Sequence, residues 1–170
     1  MSANEKYYHA ILKDRNRFPD MSPGRLKMAS IMKGCHIVKE EDNNSRKHVL
    51  EFGVYEGKSM KRIMSTEIWQ KYPVYGFDSF EGLPEDWNDF NGNLVGRGKK
   101  GRFKTNVPYI PGVNWRIGWF SDTIKEYIQE EAEPIALLHV DCDLYNSTKE
   151  ILYGLNNYIV KNTIVVMDDW

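Results

Sequence analysis

The sequence predicts an α/β fold with a doubly wound, mostly parallel sheet and helices on both of its faces. Short apolar runs alternate along the chain with segments whose apolar residues recur every three or four positions, which is the spacing of a helix. Two of these runs, residues 135–140 and 163–167, are apolar almost throughout, which is typical of strands buried on both faces. Both runs end in acidic residues, at the strand ends where open α/β sheets bind their ligands.

In chain order the elements follow the pattern β-α-β-loop-β-α-β-α-β, preceded by one further helix. That opening helix starts at Ser22, with Pro23 in its first turn, and ends at Gly34. The predicted strands are residues 49–52, 73–77, 115–118, 135–140 and 163–167. The predicted helices between them are residues 60–68, 122–131 and 147–160, the last capped by Asn146, Ser147 or Thr148. Residues 81–112 are irregular, and so long a loop is typical of a functional lid or of disorder.

A single domain accounts for most of the chain. Residues 1–20 are polar and aromatic and predict a loosely ordered segment, and residues 40–47 read as a charged surface loop. We therefore predict an N-terminal extension of helix and loop over residues 1–47, and one domain over residues 48–170.

The composition excludes several classes of function. The net charge of −1 gives no global attraction to nucleic acid or to an anionic membrane. No apolar run is long enough to cross a bilayer, and the N-terminus has no signal-peptide core, so we expect a cytoplasmic protein. The two cysteines lack the spacing of a zinc site or a disulfide framework, and reduced thiols are expected.

The turn after the first predicted strand is a candidate ligand-binding segment. It has the form Glu51-x-Gly53-x-x-x-Gly57-x-Ser59. Glycines in a strand-to-helix turn let the backbone approach a ligand, with N–H groups at the helix start ready to donate. The pattern differs from the GxGxxG dinucleotide fingerprint, and a purely structural turn is the alternative.

Asp78 ends the second predicted strand, where an acid commonly accepts hydrogen bonds from the hydroxyls of a bound ribose. The alternative is a turn or helix cap, since Ser79 and Gly82 follow. The position at a strand end, after a glycine turn, favours ribose.

Four acids follow the last two strands: Asp141, Asp143, Asp168 and Asp169. Each could be a solvated strand end or a helix cap, but two pairs on neighbouring strands are harder to dismiss. Grouped carboxylates repel one another unless a cation, a proton or a basic group compensates. Hard oxygen ligands favour Mg²⁺, Mn²⁺ or Ca²⁺ over zinc, so these acids are candidate metal ligands.

Two further stretches have both structural and functional interpretations. Residues 96–104, GRGKKGRFK, carry five basic side chains, which are either a solvated surface or a lid over an anionic substrate. Trp115, Trp119 and Phe120 are core residues by default, although an aromatic ring near Asp78 could flank an adenine.

Five sequence blocks, in order and at suitable spacing, resemble class I S-adenosylmethionine-dependent methyltransferases of the macrocin O-methyltransferase type. The blocks are LEFGVYEGKS, VYGFDSFEGLPEDW, GWFSDTI, LLHVDCDLYNST and IVVMDDW, and they extend from about Val49 to Trp170. The resemblance implies a seven-stranded Rossmann-like sheet that binds S-adenosylmethionine and methylates a hydroxyl of a sugar or a sugar-containing small molecule.

The resemblance also implies residue roles. Ten residues match cofactor-binding positions: Glu51, Gly53, Tyr55, Gly57, Ser59, Asp78, Ser79, Phe80, Trp119 and Phe120. Asp141, Asp168 and Asp169 match the acids that hold Mg²⁺, for which Mn²⁺ is the alternative, and Asp143 matches the general base. Asp141 and Asp143 are therefore the expected catalytic residues. A bound cation lowers the pKa of a hydroxyl, and a nearby carboxylate can take its proton.

The chain departs from the family pattern in one respect. It lacks the helix and closing strand pair expected after the fifth strand, which suggests a truncated chain of uncertain activity, and a homodimer could cover the open sheet edge. The main alternative is a metal-dependent nucleotide-sugar glycosyltransferase that uses Asp141-Cys142-Asp143 as its Asp-x-Asp motif. A non-catalytic cofactor-binding fragment is a second alternative, and an NAD-binding domain is weaker because the turn lacks the third glycine.

Overall fold

A five-stranded sheet forms the centre of the structure, a computed structural model that describes residues 23–40, 47–89 and 91–168. The strands are β1 (His48–Phe52), β2 (Val74–Asp78), β3 (Val113–Ile117), β4 (Ile135–Val140) and β5 (Ile164–Met167). They lie in the order β3-β2-β1-β4-β5, and every neighbouring pair is parallel. The sheet order reverses direction between β1 and β4, which is where open α/β sheets bind ligands.

Helices cover both faces of this sheet. They are α1 (Pro23–Glu40), α2 (Lys58–Met64), α3 (Phe120–Glu130) and α4 (Tyr145–Gly154), with a short 3-10 helix at Ile68–Gln70. α1 and α2 pack over one face and α3 and α4 over the other, so that neighbouring residues of β1 enter separate cores. Val49 belongs to the core under α1 and α2, and Leu50 to the core under α3 and α4. The predicted α/β class with a doubly wound parallel sheet is confirmed.

The burial of the strands follows their position in the sheet. β1 and β4 are buried at every residue, as their continuous apolar sequences predict, whereas β3 and β5 at the two edges are largely half-buried. α1 contributes Ile31, Cys35 and Val38 to the core shared with β1 and β4. The division into residues 1–47 and 48–170 stays a prediction. Residues 1–22 and 41–46, together with the candidate metal ligand Asp169, lie outside the described residues.

Three helix ends differ from the predictions, and one of them is the end of α4, which lies at Gly154 rather than at residue 160. α1 continues through Gly34 to Glu40, because this glycine lets the helix approach the sheet closely: a Cβ atom there would lie 3.0 Å from Leu137 Cδ1 and 3.1 Å from Ile164 Cγ2. The second predicted helix ends early, at Met64, because Glu67 takes a left-handed conformation with φ 61° before the 3-10 turn begins.

The predicted caps of the last helix are also wrong. α4 begins at Tyr145 after Leu144, which makes no side-chain cap, so Asn146, Ser147 and Thr148 lie inside its first turn. The chain reverses sharply just before it, where Asp143 has φ 62° and the Leu144 N–H donates to the Cys142 carbonyl at 2.6 Å. This tight turn brings the helix start two residues closer to β4 than the polar residues suggest.

Within the part of the chain that the structure describes, no helix has both the length and the apolar character needed to cross a membrane.

Gly34→Val tests the close approach of α1 to the sheet. We expect the larger side chain to lower the free energy of unfolding by about 1–3 kcal/mol, because it must displace Leu137 and Ile164 from a packed core. Urea denaturation measures the change. Ala29→Val, on the exposed side of the same helix, is the control and should cost only a few tenths of that. Equal losses in the two variants would contradict the packing role of Gly34.

Candidate active site

The carboxyl ends of the five strands form one continuous edge. Backbone hydrogen bonds join neighbouring strand ends there: Gly53 N–H to the Phe77 carbonyl at 3.0 Å, Asp141 N–H to Phe52 at 2.9 Å, and Asp168 N–H to Val140 at 3.1 Å. The residues that follow β1, β2, β4 and β5 therefore lie side by side. Nearly all of the residues singled out from the sequence are on this edge or directly beneath it.

The turn after β1 requires glycine at two positions. Gly53 has φ 82°, and a Cβ atom there would overlap the carbonyl oxygen of Asp141 and lie 2.7 Å from its carbonyl carbon. Gly57 has φ 75°, and a Cβ atom would lie 2.6 Å from Ile110 Cδ1. Tyr55, between them, is also left-handed with φ 52°. Sparsely populated backbone conformations of this kind concentrate at functional sites.

Asp78 stabilises this turn by hydrogen bonding. Its Oδ2 accepts hydrogen bonds from the N–H groups of Val54 and Tyr55, both at 2.8 Å, and its Oδ1 accepts one from the Phe80 N–H at 2.7 Å. These contacts are those of a turn cap. The half-buried carboxylate also reaches the strand edge, and the ribose role stays a prediction.

Glu51 lies beneath the turn, fully buried. Its Oε1 accepts a hydrogen bond from the Ser59 hydroxyl in α2 and lies 3.0 Å from His139 Nδ1 on the neighbouring strand. Glu51 Oε2 and His139 Nε2 have no hydrogen-bond partner among the described residues. Glu51 therefore ties the first turn of α2 to β1 and β4 from below, and does so from a position closed to solvent.

The aromatic candidates divide into buried and exposed rings. Phe80 is buried edge-on against Trp115 at a centroid distance of 5.8 Å, and Phe120 packs edge-on against Phe52 at 5.2 Å. Trp119 is 43% exposed at the start of α3, next to the end of β2, because the Gly118 N–H donates to the Asp78 carbonyl. Of these rings, Trp119 is the one that is open to stack on a ligand.

Ser79, another candidate cofactor-binding residue, accepts a hydrogen bond at its hydroxyl oxygen from the Glu81 N–H at 3.1 Å.

Asp141 and Asp168 come together around a lysine that the sequence reasoning missed. The Nζ of Lys27 in α1 donates to Oδ2 of Asp141 and, at 2.9 Å, to Oδ2 of Asp168. The three side chains are 18%, 19% and 29% exposed, so the ion pairs are largely shielded from water. A signal existed in the sequence, because Lys27 lies four, eight and eleven residues before Ile31, Cys35 and Val38, on the same apolar stripe.

Burial and charge act against each other in this group. Burial alone would lower the pKa of Lys27, but the charges and hydrogen bonds of Asp141 and Asp168 outweigh it, and the net pKa is raised. Burial raises the pKa of Asp141 to about 6, against the opposing effect of the Lys27 ammonium. Lys27 therefore carries its positive charge throughout the neutral range.

Asp143 stands two residues beyond Asp141, half-buried and in the left-handed conformation described above. Among the described residues, no three His, Cys, Asp or Glu side chains converge as a metal-binding group. Asp141 and Asp168 are brought together as the sequence predicts, but with an ammonium group between them. Two hard carboxylate donors from neighbouring strands match the chemistry of Mg²⁺ or Mn²⁺, provided that Lys27 moves.

The basic loop, residues 96–104, packs against the glycine turn. Lys99 pairs with Asp86 at 3.1 Å and Lys104 with Glu81 at 2.6 Å, so two of its five charges are neutralised by acids earlier in the irregular segment of residues 81–112. The Phe103 ring lies edge-on to Tyr55 at a centroid distance of 5.5 Å. Backbone hydrogen bonds between residues 83 and 102 and between residues 87 and 98 join the basic loop to the earlier part of the irregular segment. It forms an ordered wall beside the turn.

Comparison with known protein families shows to which family the chain belongs. A family model described as a methyltransferase domain matches residues 50–170, which is most of the chain. The chain belongs to this methyltransferase family. It is therefore an S-adenosylmethionine-dependent methyltransferase, and the glycosyltransferase and NAD-binding alternatives do not account for the match. No curated protein sequence matched the chain.

Solved structures with the same fold are also methyltransferases. The calicheamicin methyltransferase CalS11 has a TM-score of 0.65 and 17% identity, over 97% of this chain and 77% of that one. The O-methyltransferase NovP has a TM-score of 0.61 and 23% identity, over 85% of this chain and 65% of that one. An apo structure of CalS11, described as a TDP-rhamnose 3'-O-methyltransferase, has a TM-score of 0.56 and 16% identity, over 93% and 68%. At these identities the likeness shows the Rossmann-like fold of this methyltransferase.

Gly53→Ala tests whether close contact with β4 holds the glycine turn in place, and whether that turn binds the cofactor. We expect S-adenosylhomocysteine affinity to fall by at least about tenfold, because the new methyl group cannot fit against the Asp141 backbone and the turn must move. Calorimetric titration of the folded variant measures this. Gly96→Ala is the matched control, since Gly96 also has positive φ but nothing within 4 Å of its Cβ position. It should lose about 1 kcal/mol of stability and keep wild-type affinity.

Proposed function

We propose that this methyltransferase transfers a methyl group from S-adenosylmethionine to a hydroxyl of a sugar or sugar-containing small molecule, with the help of a divalent cation. The observation that carries the proposal is the position of Asp141, Asp143 and Asp168. They follow β4 and β5, beside the glycine turn and at the point where the sheet order reverses. Of the proteins with a similar fold, NovP is an O-methyltransferase and CalS11 is described as a TDP-rhamnose 3'-O-methyltransferase, which supports a hydroxyl and, for CalS11, a sugar as the acceptor.

The chain would hold the methyl donor along the edge from β1 to β3. Gly53 and Gly57 keep the turn free of side chains, so that its backbone can approach a ligand, and Glu51 and Asp78 hold that turn in shape. The exposed ring of Trp119 would flank the adenine. When bound, S-adenosylmethionine supplies an electrophilic methyl group on its sulfonium. The chain contributes the position of the acceptor oxygen relative to that methyl group.

Asp143 is the proposed general base. A sugar hydroxyl is a poor nucleophile at neutral pH, and a carboxylate within hydrogen-bond reach can take its proton as the new bond forms. Asp143 lies two residues beyond Asp141, in a left-handed turn between the end of β4 and the start of α4. The start of α4 contacts the irregular segment after β2, since the Asn146 side-chain amide donates to Glu85 Oε1 at 2.9 Å, and the two would contribute to the acceptor wall.

Asp141 and Asp168 are the described residues proposed to hold Mg²⁺ or Mn²⁺, together with Asp169. Their carboxylates are the hard oxygen donors that these ions prefer. A bound divalent cation would supply positive charge that lowers the pKa of a coordinated hydroxyl.

Asp168→Asn tests the metal part of the proposal. We expect wild-type protein to bind S-adenosylhomocysteine with one-to-one stoichiometry, and to bind Mg²⁺ separately. The variant should keep the first affinity and lose most of the second, because it removes one charged donor without touching the glycine turn. Isothermal calorimetry measures both. Unchanged Mg²⁺ affinity in the variant would remove Asp168 from the metal site.

Asp143→Asn tests the base, and with it the alternative of a non-catalytic fragment. Methyl transfer from labelled S-adenosylmethionine to a panel of nucleotide sugars and free sugars is the assay. We expect kcat to fall by roughly 10²–10⁴-fold, while the S-adenosylhomocysteine affinity stays at the wild-type value. Glu126→Gln, an exposed carboxylate on α3, should leave both unchanged. Absence of transfer by the wild-type chain to every acceptor, despite cofactor binding, would favour the non-catalytic alternative.

A further inference from the structure

We propose that Lys27 is a built-in counter-cation of the Asp141–Asp168 pair, and that a divalent ion binds only by displacing it. The inference rests on the metal-assisted function proposed above and deepens it. The two carboxylates would then be held alternately by the ammonium group and by the metal, so that α1 takes part in metal binding.

The geometry makes the two cations mutually exclusive. Lys27 Nζ donates to the Oδ2 atoms of both carboxylates and so bridges the residues that follow the neighbouring strands β4 and β5. A Mg²⁺ ion bound by the same two oxygens needs distances of about 2.0–2.1 Å to each and a shell of further oxygen ligands. An ammonium group within hydrogen-bond distance of both oxygens occupies that space and repels a second cation.

The charge balance favours exchange for a divalent ion in particular. Two carboxylates and one ammonium leave this group with one uncompensated negative charge, in surroundings that shield it from water. A divalent ion neutralises both carboxylates completely, whereas a monovalent ion gains nothing over Lys27. The lysine therefore stabilises the empty site and opposes weak or monovalent competitors.

The side chain can leave without moving its helix. Ile31, Cys35 and Val38 anchor α1 in the core, all on the C-terminal side of Lys27. The Lys27 side chain is itself 18% exposed, so part of it already reaches water. A flexible four-carbon stem lets the ammonium group swing out toward that water. The ammonium group of the displaced lysine is then in water and carries no desolvation penalty.

Direct Mn²⁺ binding to the full 170-residue chain tests the exchange. Lys27→Met keeps the aliphatic length and removes the charge, and we expect its Mn²⁺ affinity, measured by the paramagnetic resonance signal of free Mn²⁺, to rise at least about tenfold. Lys33→Met, on the exposed side of the same helix, is the matched control and should bind as wild type does. Lys27→Arg should bind no more tightly than wild type, since it keeps the competing charge.

Amine labelling of the wild-type protein is the second measurement, and it needs no variant to fold. Trace acetylation with mass-spectrometric readout should modify Lys27 slowly without metal and faster at saturating Mg²⁺, with Lys33 and Lys58 unchanged. Tighter Mn²⁺ binding by Lys27→Met together with faster labelling supports displacement. Equal Mn²⁺ affinities, or labelling of Lys27 that metal does not change, overturn it and leave the metal site itself standing. Absence of Mn²⁺ binding in every variant overturns displacement and metal assistance together, while cofactor binding and methyl transfer are judged by their own assays.

Discussion

The contact between the turn after β1 and the end of β4 is the constraint on which the site depends. Gly53 lies so close to the Asp141 backbone that no side chain fits between them, and the Asp141 N–H bonds the last carbonyl of β1. The contact lies where the sheet order reverses, so the glycine turn and the acidic strand end lie side by side at the edge where open α/β sheets bind ligands. Gly57 repeats the arrangement against Ile110, which places the returning loop. Two glycines thus set the turn, the acids and the wall relative to one another.

The acids at this edge serve two physically different purposes. Glu51 and Asp78 accept hydrogen bonds from the chain itself, Glu51 through Oε1 within the core and Asp78 through both oxygens at the surface of the turn. Asp141 and Asp168 instead face each other across neighbouring strands and depend on a positive charge, because two shielded carboxylates cannot both stay ionised without one. The first pair gives the site its shape. The second pair gives it an affinity for cations that the lysine already satisfies in part.

Much of the fold could be predicted from the sequence, because local patterns of apolar and acidic residues determine it. The continuous apolar runs of β1 and β4 predict buried parallel strands, and Asp78, Asp141 and Asp168 all stand at strand ends as expected. The predictions failed where a long-range contact overrode a local preference. Gly34 reads as a helix end, but it is kept inside α1 by close packing on Leu137. The polar residues after Leu144 read as caps, yet the backbone reversal at Asp143 starts the helix before them.

Lys27 shows most clearly why the chemistry of the acids could not be deduced from the sequence alone. Its place on the apolar stripe of α1 indicates that Lys27 faces the core, but more than a hundred residues separate it from both carboxylates. Only the packing of α1 over β4 and β5 brings them together, and that packing follows from apolar residues that carry no chemistry. A motif search therefore finds a cluster of negative charge and infers an external cation. The folded chain supplies a cation of its own. The affinity of these acids for a metal therefore depends on how much more strongly they bind the metal than they bind Lys27.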